Sequence, residues 1–305
     1  MLKVRFWGTR GSIPCPGHDT VEFGGNTSCL EIRAGERLVI LDMGTGIRPL
    51  GDWLMTNDYK QNGYIDADIF ITHTHWDHIM GFPVFTPNYV PGNKLRIRGP
   101  VSFEGDTLES IISNQLSYRY WPIRASELAA NIEYDQIRET SLDLGRGLLV
   151  TTKYLNHPIL CLGYRFEYQG KSIVTAYDHE PFRNLFPTDP AENGYNEDAA
   201  REGELAAAEE NEKLLRFFQD ADILIHDAQY TEDEFTTHLG WGHSSYGQTI
   251  DAAMKANVKK LAFFHHDPAR TDSRLEELEK IYQADYRGKM SLEPMMAREG
   301  MTLEA

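Results

Sequence analysis

Cysteine is scarce in this sequence: Cys15, Cys29 and Cys161 are the whole complement. So odd and sparse a set argues against a disulfide framework and for a reducing compartment. No run of about 20 apolar residues occurs, so no segment suits a membrane span. The opening stretch, Met1 to Trp7, lacks the apolar core of a signal peptide, and a cytoplasmic protein is expected. Basic residues are outnumbered, with 30 Lys and Arg against 46 Asp and Glu and a formal charge of −16. That balance excludes broad, non-specific binding to DNA or an anionic membrane and ranks RNA low among partners. A small anionic substrate stays open, because bound cations can dominate the field inside a site. Internal repeats and low-complexity tracts are also missing.

What is present is a chain of 305 residues, 41% hydrophobic and 25% charged, as expected for a globular protein with a substantial core. Short apolar runs bounded by Gly, Pro and Asn predict strands at Leu2–Trp7, Ser28–Arg33, Arg37–Asp42 and Ala67–Thr72. Ile47, Leu50 and Leu54 are spaced as on a helix. Strands resume at Leu148–Leu155, Gly163–Tyr168 and Ser172–Tyr177, the last two joined by Gln169-Gly170-Lys171 as a hairpin turn. Strand and helix then alternate: Asp222–His226, Tyr246–Ala256, Lys260–Phe264, Arg270–Tyr282 and a last strand near Met301–Leu303. The fold class read from this order is α/β, two mixed β-sheets sandwiched between helices. A single domain over residues 1–305 is expected, with insertions near 103–144 and 180–213. The second insertion carries ten Asp or Glu against three Arg or Lys and reads as a solvated, helical face.

Chemistry is concentrated in His73-Thr-His75-Trp-Asp77-His78, directly after the apolar Ile69-Phe70-Ile71. Two His at i and i+2 project to one side of an extended segment. Once the chain turns toward a helix, Asp77 and His78 swing round to face them. Three imidazoles and a carboxylate in one loop suit a borderline-soft divalent cation such as zinc.

This His-x-His-x-Asp-His pattern resembles the signature of the metallo-β-lactamase superfamily, and the rest of the chain is similar to that family in order. Ile40-Leu41-Asp42 before Met43-Gly-Thr-Gly46 matches its early strand ending in Asp, while His157, Asp178 and His265 each follow an apolar run where further ligands are expected. The resemblance implies the four-layer αββα sandwich and two divalent metal ions, zinc or manganese. It assigns His73, His75 and His157 to one metal, Asp77, His78 and His265 to the other, and Asp178 to a bridge between them. His266 is an alternative to His265 as last ligand, since adjacent residues of an extended chain point in opposite directions. Asp42 would accept a ligand's second ring proton or hold the metal loop; capping the turn after it is an equal reading.

His226-Asp227-Ala-Gln-Tyr230 and Gly242-His243-Ser-Ser245 resemble segments of the ribonuclease Z branch and its phosphodiesterase relatives. There Asp227 would orient His243, and His243 would donate a proton to the leaving oxygen, with N-capping of the Tyr246 helix as its alternative role. Asp227 is one methylene shorter than the Glu common in that branch, which leaves its reach to His243 open. The Gly-rich turns Phe6–Ser12 and Gly24–Ser28 are read as tight turns without a catalytic role.

The leading functional expectation is a binuclear metal-dependent phosphodiesterase in which Asp77, Asp227 and His243 take catalytic parts. Its expected partner is a small phosphodiester, with a cyclic nucleotide foremost, attacked by hydroxide that the metals generate. A ribonuclease Z-type tRNA-processing endonuclease is the alternative, followed by hydrolysis of another ester or amide on the same scaffold. No membrane partner is expected, and a homodimer is left open.

Overall fold

The computed structural model describes residues 1–286, 292 and 294–305. Fourteen strands form two seven-stranded sheets. The first contains β1 (Leu2–Gly8), β2 (Cys29–Ala34), β3 (Arg37–Leu41), β4 (Asp66–Phe70), β5 (Lys94–Pro100), β6 (Asn131–Ile137) and β14 (Thr302–Glu304), in the order β14-β1-β2-β3-β4-β5-β6. The second contains β7 (Ser141–Asp143), β8 (Leu148–Leu155), β9 (Cys161–Tyr168), β10 (Lys171–Ala176), β11 (Ile223–Asp227), β12 (Leu261–Phe264) and β13 (Pro294–Met296), in the order β13-β12-β11-β10-β9-β8-β7. Each sheet is half antiparallel and half parallel: β3 through β6 run parallel, as do β10 through β13. Parallel strands aligned side by side deliver their carboxyl ends to one rim, the usual place for a site in open α/β sheets.

Three apolar layers hold the sandwich together. Between the sheets lie Val4, Phe6, Ile32, Leu41 and Phe70 from one side and Val150, Phe166, Ile173, Ile225 and Phe264 from the other. Outside the first sheet, the helix Ile47–Thr56 presents Ile47, Leu50 and Leu54 to Ile40, Ile69 and Ile97. Outside the second, the helices Glu197–Phe218, Tyr246–Lys255 and Asp272–Tyr286 cover Val174, Leu224 and Phe263. Central parallel strands are buried on both faces, which is why β3, β11 and β12 read as unbroken apolar runs rather than alternating ones.

The architecture is the expected four-layer sandwich. Strands β5, β6, β7 and β13 were not foreseen. The segment 103–144 holds β6 and β7, the edge strands of the two sheets, together with the helix Leu108–Ser113. In 180–213, residues from Glu197 onward belong to the helix Glu197–Phe218. No helix among the described residues is long and apolar enough to cross a membrane.

Candidate metal centre

After β4 the chain stays extended to His75 and then turns into the short helix Trp76–Ile79. That bend puts His73 and His75 on one side of a small chamber and Asp77 and His78 on the other. His73 Nε2 lies 3.0 Å from His75 Nδ1, which is 3.1 Å from His157 Nε2. On the other side, Asp77 Oδ2 is 3.2 Å from His78 Nε2 and 3.1 Å from His265 Nε2. Asp178 stands between the two groups. Its Oδ2 faces His73 and His157 at 3.5 and 3.8 Å, and its Oδ1 faces His78 and His265 at 3.3 and 3.2 Å.

How the strands deliver these groups follows from backbone conformation. Leu41 and Phe264 face the space between the sheets, so strict alternation would aim Asp42 and His265 outward, into the helical layers. The same holds for Asp178 after the inward-facing Tyr177. All three adopt positive φ, at 61°, 59° and 45°, which breaks the alternation and turns the side chains to the chamber. Left-handed backbone at a non-glycine residue costs about 1–3 kcal/mol and persists where surrounding structure enforces it.

The chamber's chemistry fits divalent cations. His157 Nδ1 donates to Gly242 O at 3.1 Å, His78 Nδ1 to Asp42 Oδ2 at 2.8 Å, and His265 Nδ1 to Gln229 Oε1 at 3.2 Å. Each of these bonds fixes the tautomer that leaves Nε2 with a lone pair aimed inward. Asp178 Oδ1 and His78 Nε2 are buried without any hydrogen-bond partner, a costly state unless a cation completes them. Burial drives the pKa of His73 down and that of His157 to about 4, so both rings are neutral. At His78 burial acts in the same sense, but the fields of Asp77, Asp178 and Asp42 override it and raise the pKa. The surrounding acids call for positive charge at that position. His73, His75, His157 and Asp178 form one set with ligand atoms within 4.8 Å of one another, and Asp77, His78, Asp178 and His265 form a second.

His266 turns the other way: its Nε2 meets Ala297 O at 2.8 Å, outside the chamber. Asp42 accepts from Thr72 N, Thr72 Oγ1 and His78 Nδ1 and caps no helix. Asp227 reaches His243 despite its short arm, with Oδ2 2.6 Å from Nδ1. The His243 ring stacks on His265 with centroids 5.0 Å apart. The Tyr246 helix is capped by Ser245 through a reciprocal box with Gln248, so His243 is free of that role.

Several supporting residues were not anticipated. Glu180 Oε2 accepts the backbone N–H groups of Gly240 and Gly242 and so sets the loop that carries His243. Gly242 has φ +84°, and a Cβ there would sit 2.2 Å from His157 Nδ1. In the first Gly-rich turn, a Cβ on Gly11 would come within 2.3 Å of His265, and Ser12 N–H donates to Asp77 Oδ2 at 2.7 Å. The first of the two Gly-rich turns thus packs against the chamber.

The family model of the metallo-beta-lactamase superfamily matches residues 23–265. This chain belongs to that superfamily. Among its relatives are a ribonuclease Z of Thermoplasma acidophilum, 26% identical over 96% of this chain and 95% of its own, and one of Exiguobacterium sibiricum, 30% identical over 72% and 78%. The metallo-beta-lactamase fold protein YhfI of Bacillus subtilis superposes over the full length of both chains with a TM-score of 0.64 at 17% identity. The superfamily and these relatives make the chain a metallo-beta-lactamase-fold hydrolase that depends on metal. They also overturn the low rank given to RNA, since the curated relatives are ribonucleases by name. Net charge averages over a whole surface, whereas affinity for a phosphate at the reacting centre is set by the local field of the cations there.

Proposed function

We propose that this metallo-beta-lactamase superfamily member is a phosphodiesterase, with RNA as its first substrate class. The observation that carries the reading is the Asp227–His243 pair beside the histidine cluster, at 2.6 Å. Hydrolysis of a phosphodiester expels an alkoxide, and an alkoxide needs a proton. Nδ1 of His243 donates to Asp227, which leaves the transferable proton on Nε2. Burial works against the charged ring, but Asp227 raises its pKa to about 9, so His243 carries that proton at neutral pH.

His73, His75 and His157 would hold one cation, Asp77, His78 and His265 a second, with Asp178 shared. When bound, the two ions supply hydroxide near neutral pH and neutralise charge on the phosphate oxygens. Ser12 N–H restrains Asp77, Gly242 O orients His157, and Asp227 holds His243 against the His265 ring. A small cyclic phosphodiester is the second reading. Trp76 and Trp241, 73% and 60% exposed and adjacent in sequence to His75 and Gly242, offer stacking faces to the bases of either substrate.

The test uses protein loaded with zinc or manganese on bis(p-nitrophenyl) phosphate, on an RNA with a single-stranded end, and on cyclic nucleotides. His243→Ala is expected to slow cleavage of RNA and cyclic nucleotides by about 10²–10⁴-fold with metal content unchanged, and bis(p-nitrophenyl) phosphate, whose p-nitrophenolate leaves without a proton, far less. Wild-type rates on RNA and cyclic nucleotides in that variant remove His243 from the chemistry. Loaded protein that cleaves none of the three substrates overturns the reading.

A further inference from the structure

A second cavity of about 240 Å³ lies on the far side of the second sheet, between the helices Glu197–Phe218 and Tyr246–Lys255. Its position follows from strand geometry. Asp227 at the end of β11 faces the metal chamber, so the preceding His226 faces the outer helical layer. His179 follows the re-aimed Asp178 and joins His226 there, with ring centroids 5.7 Å apart. Leu214 and Phe218 make the apolar wall, Phe218 edge-on to His226 at 5.6 Å.

The hydrogen bonds fix both tautomers. His226 Nδ1 lies 2.7 Å from the backbone oxygen of Asp227. A carbonyl only accepts, so that nitrogen carries the proton and Nε2 offers a lone pair. His179 Nδ1 accepts from Asn156 N–H at 3.2 Å, so its proton sits on Nε2. The cavity is thus lined by one ring donor and one ring acceptor. Both rings are more than nine-tenths buried, at 4% and 2% exposure, and neither Nε2 has a partner among the described residues. One donor and one acceptor open to the same cavity describe the complement of an N–H beside a C=O.

Size and charge narrow the ligand. Pockets for drug-sized molecules occupy roughly 300–1,000 Å³, so this one takes a single ring system. Its one cationic lining residue, Lys255, is exposed at the mouth together with Asp251, and nothing inside matches a phosphate. Three lining residues are chain neighbours of groups in the metal chamber: His179 of Asp178, His226 of Asp227 and Ser244 of His243. Ser244 Oγ also donates to His179 O at 2.6 Å, tying two of those segments together.

We propose that this cavity is an effector site for a neutral lactam ring of the nucleobase type, read by His179 Nε2–H and His226 Nε2, and coupled to the metal centre through the three shared segments. The proposal goes beyond phosphodiester cleavage, and its binding arm needs no turnover. Metal-loaded protein is titrated calorimetrically with uracil, hypoxanthine and 1,3-dimethyluracil, the last lacking any N–H. Hydrolysis of bis(p-nitrophenyl) phosphate is then followed at saturating ligand. Uracil or hypoxanthine is expected to bind with a Kd of about 1 mM or below and to change kcat or KM by at least about twofold, while 1,3-dimethyluracil does neither. Ala252→Phe, which fills the cavity from the Tyr246–Lys255 helix, is expected to keep metal content and basal rate and lose the ligand's binding and effect. Absence of binding by both N–H-bearing rings, binding that leaves kcat and KM unchanged, or an equal response to 1,3-dimethyluracil overturns the proposal. So does undiminished binding in Ala252→Phe.

Discussion

Two buried aspartates, one in each sheet, show what separates a structural charge from a site. Asp68 on β4 is 1% exposed and surrounded by guanidinium groups: Arg98 at 2.7 Å, Arg96 at 2.8 Å and Arg37 at 3.5 Å. Its charge is answered within the protein. Asp178, past the end of β10, is 2% exposed and faces four imidazoles, yet its Oδ1 has no hydrogen-bond partner. Burial alone therefore says little about function. An acid whose balance the chain leaves open is the informative case.

The contrast is sharpest when each acid is removed. Asp178→Ala takes away the oxygens facing both histidine sets. It is expected to lower activity by well over the 10–100-fold typical of residues that merely support a metal site, and elemental analysis is expected to find fewer ions per chain. Chelation is expected to lower the melting temperature of the wild type. Occupancy at about 1,000 times Kd is worth roughly 4 kcal/mol, or about 6 °C in a chain of 305 residues. The same treatment of Asp178→Ala is expected to change little. Full metal content in that variant would break the comparison.

Asp68→Ala is expected to do the reverse. Losing the shared acid of this cluster leaves Arg96 with Asp66 alone and Arg98 with Asp135 alone and costs roughly 1–3 kcal/mol, with metal content and kcat retained. The pH dependence follows the same pairing. Burial alone would raise the Asp68 carboxyl, but Arg96 and Arg98 hold its pKa below the usual value. A depressed folded-state pKa contributes stability that is complete above the unfolded value of about 3.9 and is lost as pH falls through the folded one. Urea midpoints of wild type and Asp68→Ala are therefore expected to converge below about pH 3.9. A gap that stays constant would show that the cost comes from packing rather than charge.

How much of this was legible beforehand differs between the sheets. In the first, His73, His75, Asp77 and His78 sit within six consecutive residues, and local spacing alone brings them together. In the second, His157, Asp178, Asp227, His243 and His265 are more than 100 residues apart at the extremes, and only their order after apolar runs pointed to a common rim. Strands β5 and β6 escaped for a different reason. Lys94-Leu-Arg-Ile-Arg alternates apolar with basic residues that cover Asp68, and β6 is a polar edge strand with one buried residue. Neither carries the unbroken apolar run that marked β3 and β12. The positive φ of Asp42, Asp178 and His265 was equally hidden, because it opposes the alternation by which strand residues are assigned to a face. RNA was ranked low from total charge, a quantity blind to where charge lies.

Asp42 stands between the two cases, and its replacement is the finest test of the comparison. It is fully buried, like Asp68, but one of its partners is a metal-facing histidine. Its Oδ1 accepts from Thr72 N, and its Oδ2 from Thr72 Oγ1 and His78 Nδ1. In Asp42→Asn the amide oxygen can keep the Thr72 N–H, which places the NH₂ group against His78 Nδ1–H, donor facing donor. The imidazole relieves this by moving its proton to Nε2, and the lone pair aimed into the chamber disappears. Metal affinity at the Asp77, His78 and His265 side is expected to fall by about 10–100-fold, while the His73, His75 and His157 side keeps its ion. Metal titration of the apoprotein should then show one unchanged and one weakened step. Two unchanged steps would mean that Asp42, like Asp68, serves only the fold.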